Sequence, residues 1–453
     1  MNKKSFRRLG LGIQHVLAMF GATVLVPTLT GLNTSITLLC AGLGTLLFHL
    51  LTKGKVPAFL GSSFAFMGGI IAVIGNSRIG DSDYLYKLSL VKGAIIVAGL
   101  VYVLFAILIK IIGYDKINKL LPPIVTGPII IVIGIRLSSS AINNAFYVDN
   151  KFNIKAVIIS ACVLITMISV SVFTKGLLSM MSILLGIIVG FIISIPLGFT
   201  DFSNVTNANI ISLTDSNILN CITCLPKFRA DAILAIAPIA IVTLIEHVGD
   251  ITTNSAVVGK NFIANPGIHR TILGDGLATM LAGFLGGPAN TTYGENTGVL
   301  AITKNYDPSI IRIAAVISIL LGTFGKIGGV ISSIPTPVCG AISIILYGMI
   351  SAVGVRILIN ARLNFGSNRN LMIAAIIFVL GIGCNSIPIT KTVTISGLAL
   401  AAILGMLLSA ILPIKDDDVI TDKVITEHIT KNISKKAINN SSNTAEATNE
   451  IAV

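Results

Sequence analysis

Charge is scarce in this chain. Asp, Glu, Lys and Arg together make up 11% of its 453 residues and hydrophobic residues 54%, where an average soluble domain carries about 25% charged residues. That shortage excludes a soluble globular protein. Mean hydropathy is +0.91, and apolar runs of about 18–22 residues, the length of a bilayer-spanning helix, recur along nearly the whole chain. No small-residue cleavage site follows the first apolar stretch, which is therefore expected to stay as a span. Cysteine is also sparse: of six, only Cys221 and Cys224 form a CxxC. Without a second pair a zinc site is not expected, and a local disulfide is the minor alternative. The net charge of +13 sits in short loops, as in cytoplasmic loops of membrane proteins, so no nucleic-acid partner is expected. No cofactor is expected either.

What is present is a series of fourteen candidate spans: 10–29, 35–51, 57–75, 91–112, 120–138, 154–173, 179–198, 231–251, 271–286, 289–304, 309–329, 335–355, 370–386 and 393–413. The longest polar interruption, 199–230, divides them into two sets of seven. From Lys415 the chain turns polar and is expected to be a disordered tail, 415–453. Placing the N-terminus in the cytoplasm puts seventeen basic residues before the tail on the inner side and ten, including Lys92, Arg136 and Lys326, on the outer side. An even number of spans returns the C-terminus to the cytoplasm.

Internal similarity supports two inverted halves. "PPIVTGPIII" (122–131) opens the fifth span and "PTPVCGAISI" (335–344) the twelfth, with a proline, V-x-G and two isoleucines at the same offsets. Because seven is odd, the second half enters the membrane from the opposite side. The third span of each half is broken: "GSSFAFMGG" (61–69) and "NTTYGENTG" (290–298) are rich in small residues, each with an aromatic. Their composition suggests short extended strands followed by half-helices. Irregular backbone at membrane depth is tolerated where protein buries it or it lines a cavity, so these segments are expected to build a substrate site.

Three carboxylates fall inside the bilayer. Glu246 lies about 22 Å along a helix from Asp231, and Glu295 about 13 Å from Lys304, which puts both near the middle of a ~30 Å core. Asp250 follows Glu246 by four residues, on the same helix face. No Lys or Arg is read inside the core spans to neutralise them, so at least one is expected to carry a proton part of the time. His247 is about 100° round the helix from Glu246. His15, after Gln14 in the first span, suits a packing role or a place beside the site. Carboxylates that accept hydrogen bonds suit a neutral ligand rich in N–H groups, with Phe64 or Tyr293 stacking on a planar ring. They suit an anion poorly, and a metal ion would gather more oxygen ligands.

At these residues the chain resembles the nucleobase–ascorbate transporter (nucleobase:cation symporter) family. "ENTGVLAITK" (295–304) fits that family's signature at Glu295, Asn296, Gly298, Thr303 and Lys304; Gln14–His15, "MFGATVLVP" (19–27), "GSSFAF" (61–66) and "EHVGD" (246–250) fit as well. Glutamate at the first signature position, after "TTYG", resembles the bacterial uracil permease type more than xanthine or urate carriers. The resemblance covers residues 10 to about 410. It implies an all-α polytopic fold of fourteen spans in two inverted seven-span repeats, with short β-strands in spans three and ten. It implies a core domain (1–118 and 231–330), a gate domain (119–198 and 331–414) that mediates a homodimer, and an extracytoplasmic loop (199–230). It implies substrate contacts from Phe64, Glu246, Tyr293, Gly294 and Glu295, proton coupling through Glu246, Asp250 or Glu295, and support from Gln14, His15, Ser63, Asn296 and Thr303. Aspartate at 250, where uracil permeases of the family can carry histidine, is a departure that leaves the coupling residue open. The expectation is a proton-coupled uracil symporter of the cytoplasmic membrane, not an enzyme. The alternatives are a purine permease of the same family, an anion exchanger with the same seven-plus-seven architecture, and a membrane enzyme using paired carboxylates.

Overall fold

The computed structural model describes residues 3–75, 77–113, 122–384, 386–388, 394–413 and 418. Helices dominate. In chain order the α-helices of five or more residues are α1 (Lys3–Thr30), α2 (Thr34–Leu51), α3 (Met67–Ile74), α4 (Tyr84–Ile112), α5 (Pro123–Phe146), α6 (Ile154–Phe173), α7 (Ser182–Ser194), α8 (Ser203–Asn207), α9 (Ser216–Thr223), α10 (Ala230–Ile236), α11 (Ile239–Val258), α12 (Ile268–Leu285), α13 (Gly294–Thr303), α14 (Pro308–Thr323), α15 (Gly325–Ser332), α16 (Thr336–Asn360), α17 (Asn368–Gly383) and α18 (Gly397–Ile411). Three two-residue or three-residue strand pairs interrupt them: β1 (Leu60–Ser62) with β4 (Asn290–Thr292), β2 (Tyr147–Val148) with β3 (Lys151–Phe152), and β5 (Ser386–Pro388) with β6 (Thr394–Ser396). Seven helical segments among the described residues are long and apolar enough to cross a membrane, and five shorter apolar helices accompany them.

Several boundaries differ from those read off the sequence. The helix expected at 91–112 starts at Tyr84, so Lys92 lies well inside α4 rather than at its outer edge and is 1% exposed. This corrects the expectation that no lysine enters the core spans. Its ammonium is occupied by three backbone carbonyls, Cys221, Ile222 and Cys224, at 2.7–3.0 Å. The eighth span is two helices, α10 and α11, meeting at Pro238, whose ring nitrogen has no proton for the ladder. Cys221 and Cys224 are not joined. The expected tail lies outside the described residues except for Asp418, which is 2% exposed and accepts a hydrogen bond from Ser367.

The helices pack in two groups. α2, α4, α11 and α12 share a core containing Phe48, Tyr102, Leu244 and Ile272, and α14 lies along α2 and α1. A second core joins α5, α6, α7, α16, α17 and α18 through Ile129, Val163, Ile342, Ile377 and Ala402. Its centre is the pair α5–α16. Each starts behind a proline, Pro122 or Pro335, with a further proline in its first turn, where the missing N–H costs no helical bond. Glycine lets them touch: a Cβ on Gly134 would fall 2.3 Å from the carbonyl oxygen of Tyr347. Small residues at such crossings are the usual means of close packing where lipid supplies no hydrophobic drive.

Candidate functional site

The strand pair β1–β4 is where the two broken segments meet. Leu60 pairs with Thr292, Gly61 with Thr291 and Ser62 with Asn290, antiparallel. Its outward-facing backbone groups find side-chain partners. Thr45 Oγ1 accepts from Leu60 N at 2.9 Å, and Thr279 Oγ1 donates to Asn290 O at 2.9 Å. Asn290 Nδ2 donates to Cys40 O at 3.0 Å. Short strands so satisfied carry no open polar edge into the bundle. Each strand is followed by a helical start: a 3-10 turn at Phe64–Phe66 leading into α3, and α13 at Gly294. The first N–H groups of a helix have no intrahelical partner, so both starts offer donors, and each carries the positive end of a helix dipole.

The carboxylates surround the second of these starts. Glu295 is in the first turn of α13. A Cβ on Gly294 would lie 3.6 Å from Asp250 Oδ1, which places Asp250 of α11 beside the same turn. Glu246, one turn earlier on α11, is exposed. That exposure continues along one face through Gly249, Thr253 and Ala256, whereas Val242 and Ile239 on the other side of Glu246 are buried. The carboxylates therefore line a groove open toward the Val258 end of α11 and shut toward its Ile239 end. Beyond Ile239 a cavity of about 480 Å³ separates the two helix groups, with Ala65, Gly68, Ile133, Leu137, Arg136 and Asp231 in its wall. Among the described residues none of Glu246, Asp250 and Glu295 forms an ion pair.

The remaining candidates divide. Phe64 is partly exposed and opens the 3-10 turn, separated from the strand by Ser63 alone. Tyr293, by contrast, is 5% exposed. Its ring lies against Gly61, whose Cβ would be 2.4 Å from Tyr293 Cζ, and its hydroxyl donates to Ser62 O at 2.8 Å. Its side chain braces β1 against α1, and the aromatic surface left for a planar ligand is that of Phe64. Asn296 is fully buried and its Nδ2 lies 3.0 Å from His15 O and 3.1 Å from His15 Nδ1, tying α13 to α1. Gln14 Oε1 and Ser63 Oγ are buried without a hydrogen-bond partner among the described residues. Thr303 donates to Val299 O at 2.8 Å. It closes the far end of α13, roughly 12 Å along the helix from Glu295.

Sequence reasoning missed one member. Asp275 of α12, wholly buried, holds His247 Nδ1 at 2.8 Å from its Oδ2. The same ring nitrogen is 3.3 Å from Thr292 Oγ1, and that hydroxyl donates to Asp250 Oδ2 at 3.2 Å. A continuous polar chain thus runs from the open groove at Asp250 through Thr292 and His247 to Asp275. The available signal was Gly274-Asp275-Gly276, a carboxylate between glycines inside an apolar span.

Comparison with known proteins shows the family and the fold. The model of a family described as the permease family matches residues 7–390. The chain is 45% identical to the uracil permease of Bacillus caldolyticus over 409 residues, covering 89% of this chain and 91% of that one. It is 41% identical to the uracil permease of Bacillus subtilis (strain 168), covering 90% and 93%. Among solved structures it superposes on the transmembrane domain of the cyanobacterial bicarbonate transporter BicA with a TM-score of 0.59 at 15% identity, over 89% of this chain and 96% of that one. At that identity the likeness is one of fold.

Proposed function

The chain belongs to the permease family, and from that premise we propose that it is a uracil permease, a secondary transporter that carries the neutral pyrimidine with a proton across the cytoplasmic membrane. The observation that carries this reading is the groove with three carboxylates and no ion pair, set against the start of α13. Uracil presents two ring N–H donors and two carbonyl acceptors. Glu246 and Glu295 accept the donors; backbone N–H groups at the starts following Phe64 and Tyr293 serve the carbonyls; Phe64 covers the ring face. Uniformly acidic side chains oppose an anion, which weighs against the anion-exchanger reading that the fold alone would allow.

For coupling we propose Asp250, at the groove end of the chain to Asp275. A proton taken there lets the loaded site cross without a bare charge, which otherwise costs about 2.3 kcal/mol per 100 mV of membrane potential. We further propose fourteen spans in two inverted halves, with both termini cytoplasmic. Residues 1–118 and 231–330 form the core unit, and 119–198 and 331–414 the gate unit through which two copies associate. The matched pairs support this: β1 with β4, Thr45 with Thr279, and proline-opened α5 with α16. In this orientation the groove opens to the cytoplasm.

The test is uptake of labelled uracil into proteoliposomes with and without an imposed pH gradient. Gradient-driven accumulation, displaced by unlabelled uracil and not by xanthine, guanine or sulfate, is expected. Displacement by xanthine or guanine would instead favour the purine reading, and accumulation indifferent to the gradient would remove the proton from the cycle.

A further inference from the structure

The segment between the two halves holds a repeated fastening. Lys92 Nζ donates to the carbonyls of Cys221, Ile222 and Cys224 at the C-terminal end of α9. Lys326 Nζ donates to Val205 O at 2.8 Å and Thr206 O at 3.0 Å, at the end of α8. The last carbonyls of a helix lack intrahelical donors and carry the negative end of its dipole, and an ammonium supplies three donors and a positive charge. Beside each lysine stands a glycine that admits the segment's backbone. A Cβ on Gly93 would be 2.1 Å from Lys227 O, and one on Gly325 would be 2.3 Å from Asn209 O. The order is Lys-Gly at 92–93 and Gly-Lys at 325–326.

Other bonds run along the same seam. Gly325 N donates to Ile210 O at 2.9 Å, Ile211 and Phe324 form an antiparallel bridge, Ser212 Oγ donates to Gly322 O at 2.6 Å, and Lys227 N donates to Ser89 O at 2.8 Å. Upstream, Phe202 packs edge-on against Phe191 of α7 at 6.0 Å, and Gly198, with φ +77° and no neighbour for a Cβ, lies between that helix and the fastened part.

We infer that residues 205–229 are a fixed part of the helix group that holds α4 and α12, that Lys92 and Lys326 are the positioning residues that fasten them, and that the joint between the two groups lies at Gly198–Phe202. The CxxC takes part through its carbonyls. The transport consequence rests on the two-unit reading above: the segment travels with the carboxylate site, and loosening it loosens the unit that carries the site.

Two measurements test this in the full-length protein. Hydrogen exchange needs no substrate, so it decides the fastening even if uracil is not the cargo. Lys92→Gln and Lys326→Gln should each raise amide exchange in 205–229 about tenfold or more, as loss of charged hydrogen bonds implies, and leave α5 unchanged. Unaltered exchange in both variants overturns the fastening. For the transport consequence, Ile211→Cys with Phe324→Cys joins two partly exposed bridge partners whose antiparallel spacing of about 5 Å suits a disulfide. With single-cysteine parents as controls, the oxidised pair should keep at least about half of its uracil uptake, because both residues move as one body. Lys326→Gln should lower the maximal uptake rate at unchanged half-saturating concentration, and the same disulfide should restore it. Reversible arrest by the disulfide, or no restoration, overturns the proposal that the segment rides with the site.

Discussion

Glu295→Gln replaces one acceptor oxygen with an NH₂ that faces the ligand's own donor. Two donors left unpaired in a confined site cost about 1–3 kcal/mol, so equilibrium binding of uracil to the purified variant should weaken roughly ten- to a hundredfold. Unchanged affinity would take Glu295 out of the site. Asp250 is examined differently, through coupling. Asp250→Asn keeps the volume and removes the titrating oxygen, so accumulation driven by a pH gradient should fall sharply while uracil exchange at equal concentrations survives. Full accumulation by this variant would pass the role to Glu246. Thr292→Val keeps a β-branched residue in β4 but deletes the hydroxyl between Asp250 and His247. It should also depress gradient-driven accumulation more than exchange, and equal effects on both would make Thr292 a packing residue only.

Elements are held by contacts that tolerate no added atom. α5 and α16 approach at Gly134, where a Cβ would meet Ser351 Oγ at 2.2 Å and Tyr347 O at 2.3 Å. A backbone oxygen within a helix cannot give way, so Gly134→Ala should destabilise the protein by about 1–3 kcal/mol. Thermal unfolding in detergent would show it as a lowered midpoint, and an unshifted midpoint would mean that the two helices separate more easily than their packing implies. The strand pair makes the same demand at Gly61, against the ring of Tyr293. There the neighbour is a side chain, but one pinned by its hydroxyl to Ser62 O.

For the whole molecule the decisive question is whether the two helix groups move against each other. Gly68 of α3 and Leu137 of α5 meet at the wall of the cavity, 3.6 Å separating Leu137 Cδ2 from the position of a Cβ on Gly68. Gly68→Cys with Leu137→Cys, bridged by a short bifunctional thiol reagent, should stop uracil transport and spare uracil binding from the open side of the groove. Transport that continues through the bridge would exclude a rigid-body cycle.

The amino-acid sequence by itself determined the class of the molecule and the interruption of two apolar segments, at 61–69 and 290–298. Each of these is a local property: hydropathy over a helix length, and small residues where a span needs bulk. The pairing of "GSSFAFMGG" with "NTTYGENTG" was legible because both break an apolar run with the same kind of small and aromatic residues, and β1 and β4 do pair. What only the tertiary structure decided depends on residues far apart in the chain. Tyr293 has the composition of a stacking residue, but contacts with Gly61 and Ser62, more than two hundred positions away, turn its ring into the bundle. His247 and Asp275 read as two isolated polar residues until α11 and α12 bring them to 2.8 Å. Lys92 counts as a loop charge by position, yet it enters α4 because carbonyls at 221–224 replace its water. Hydropathy assigns each residue a cost of burial, and only the fold supplies the partner that offsets it.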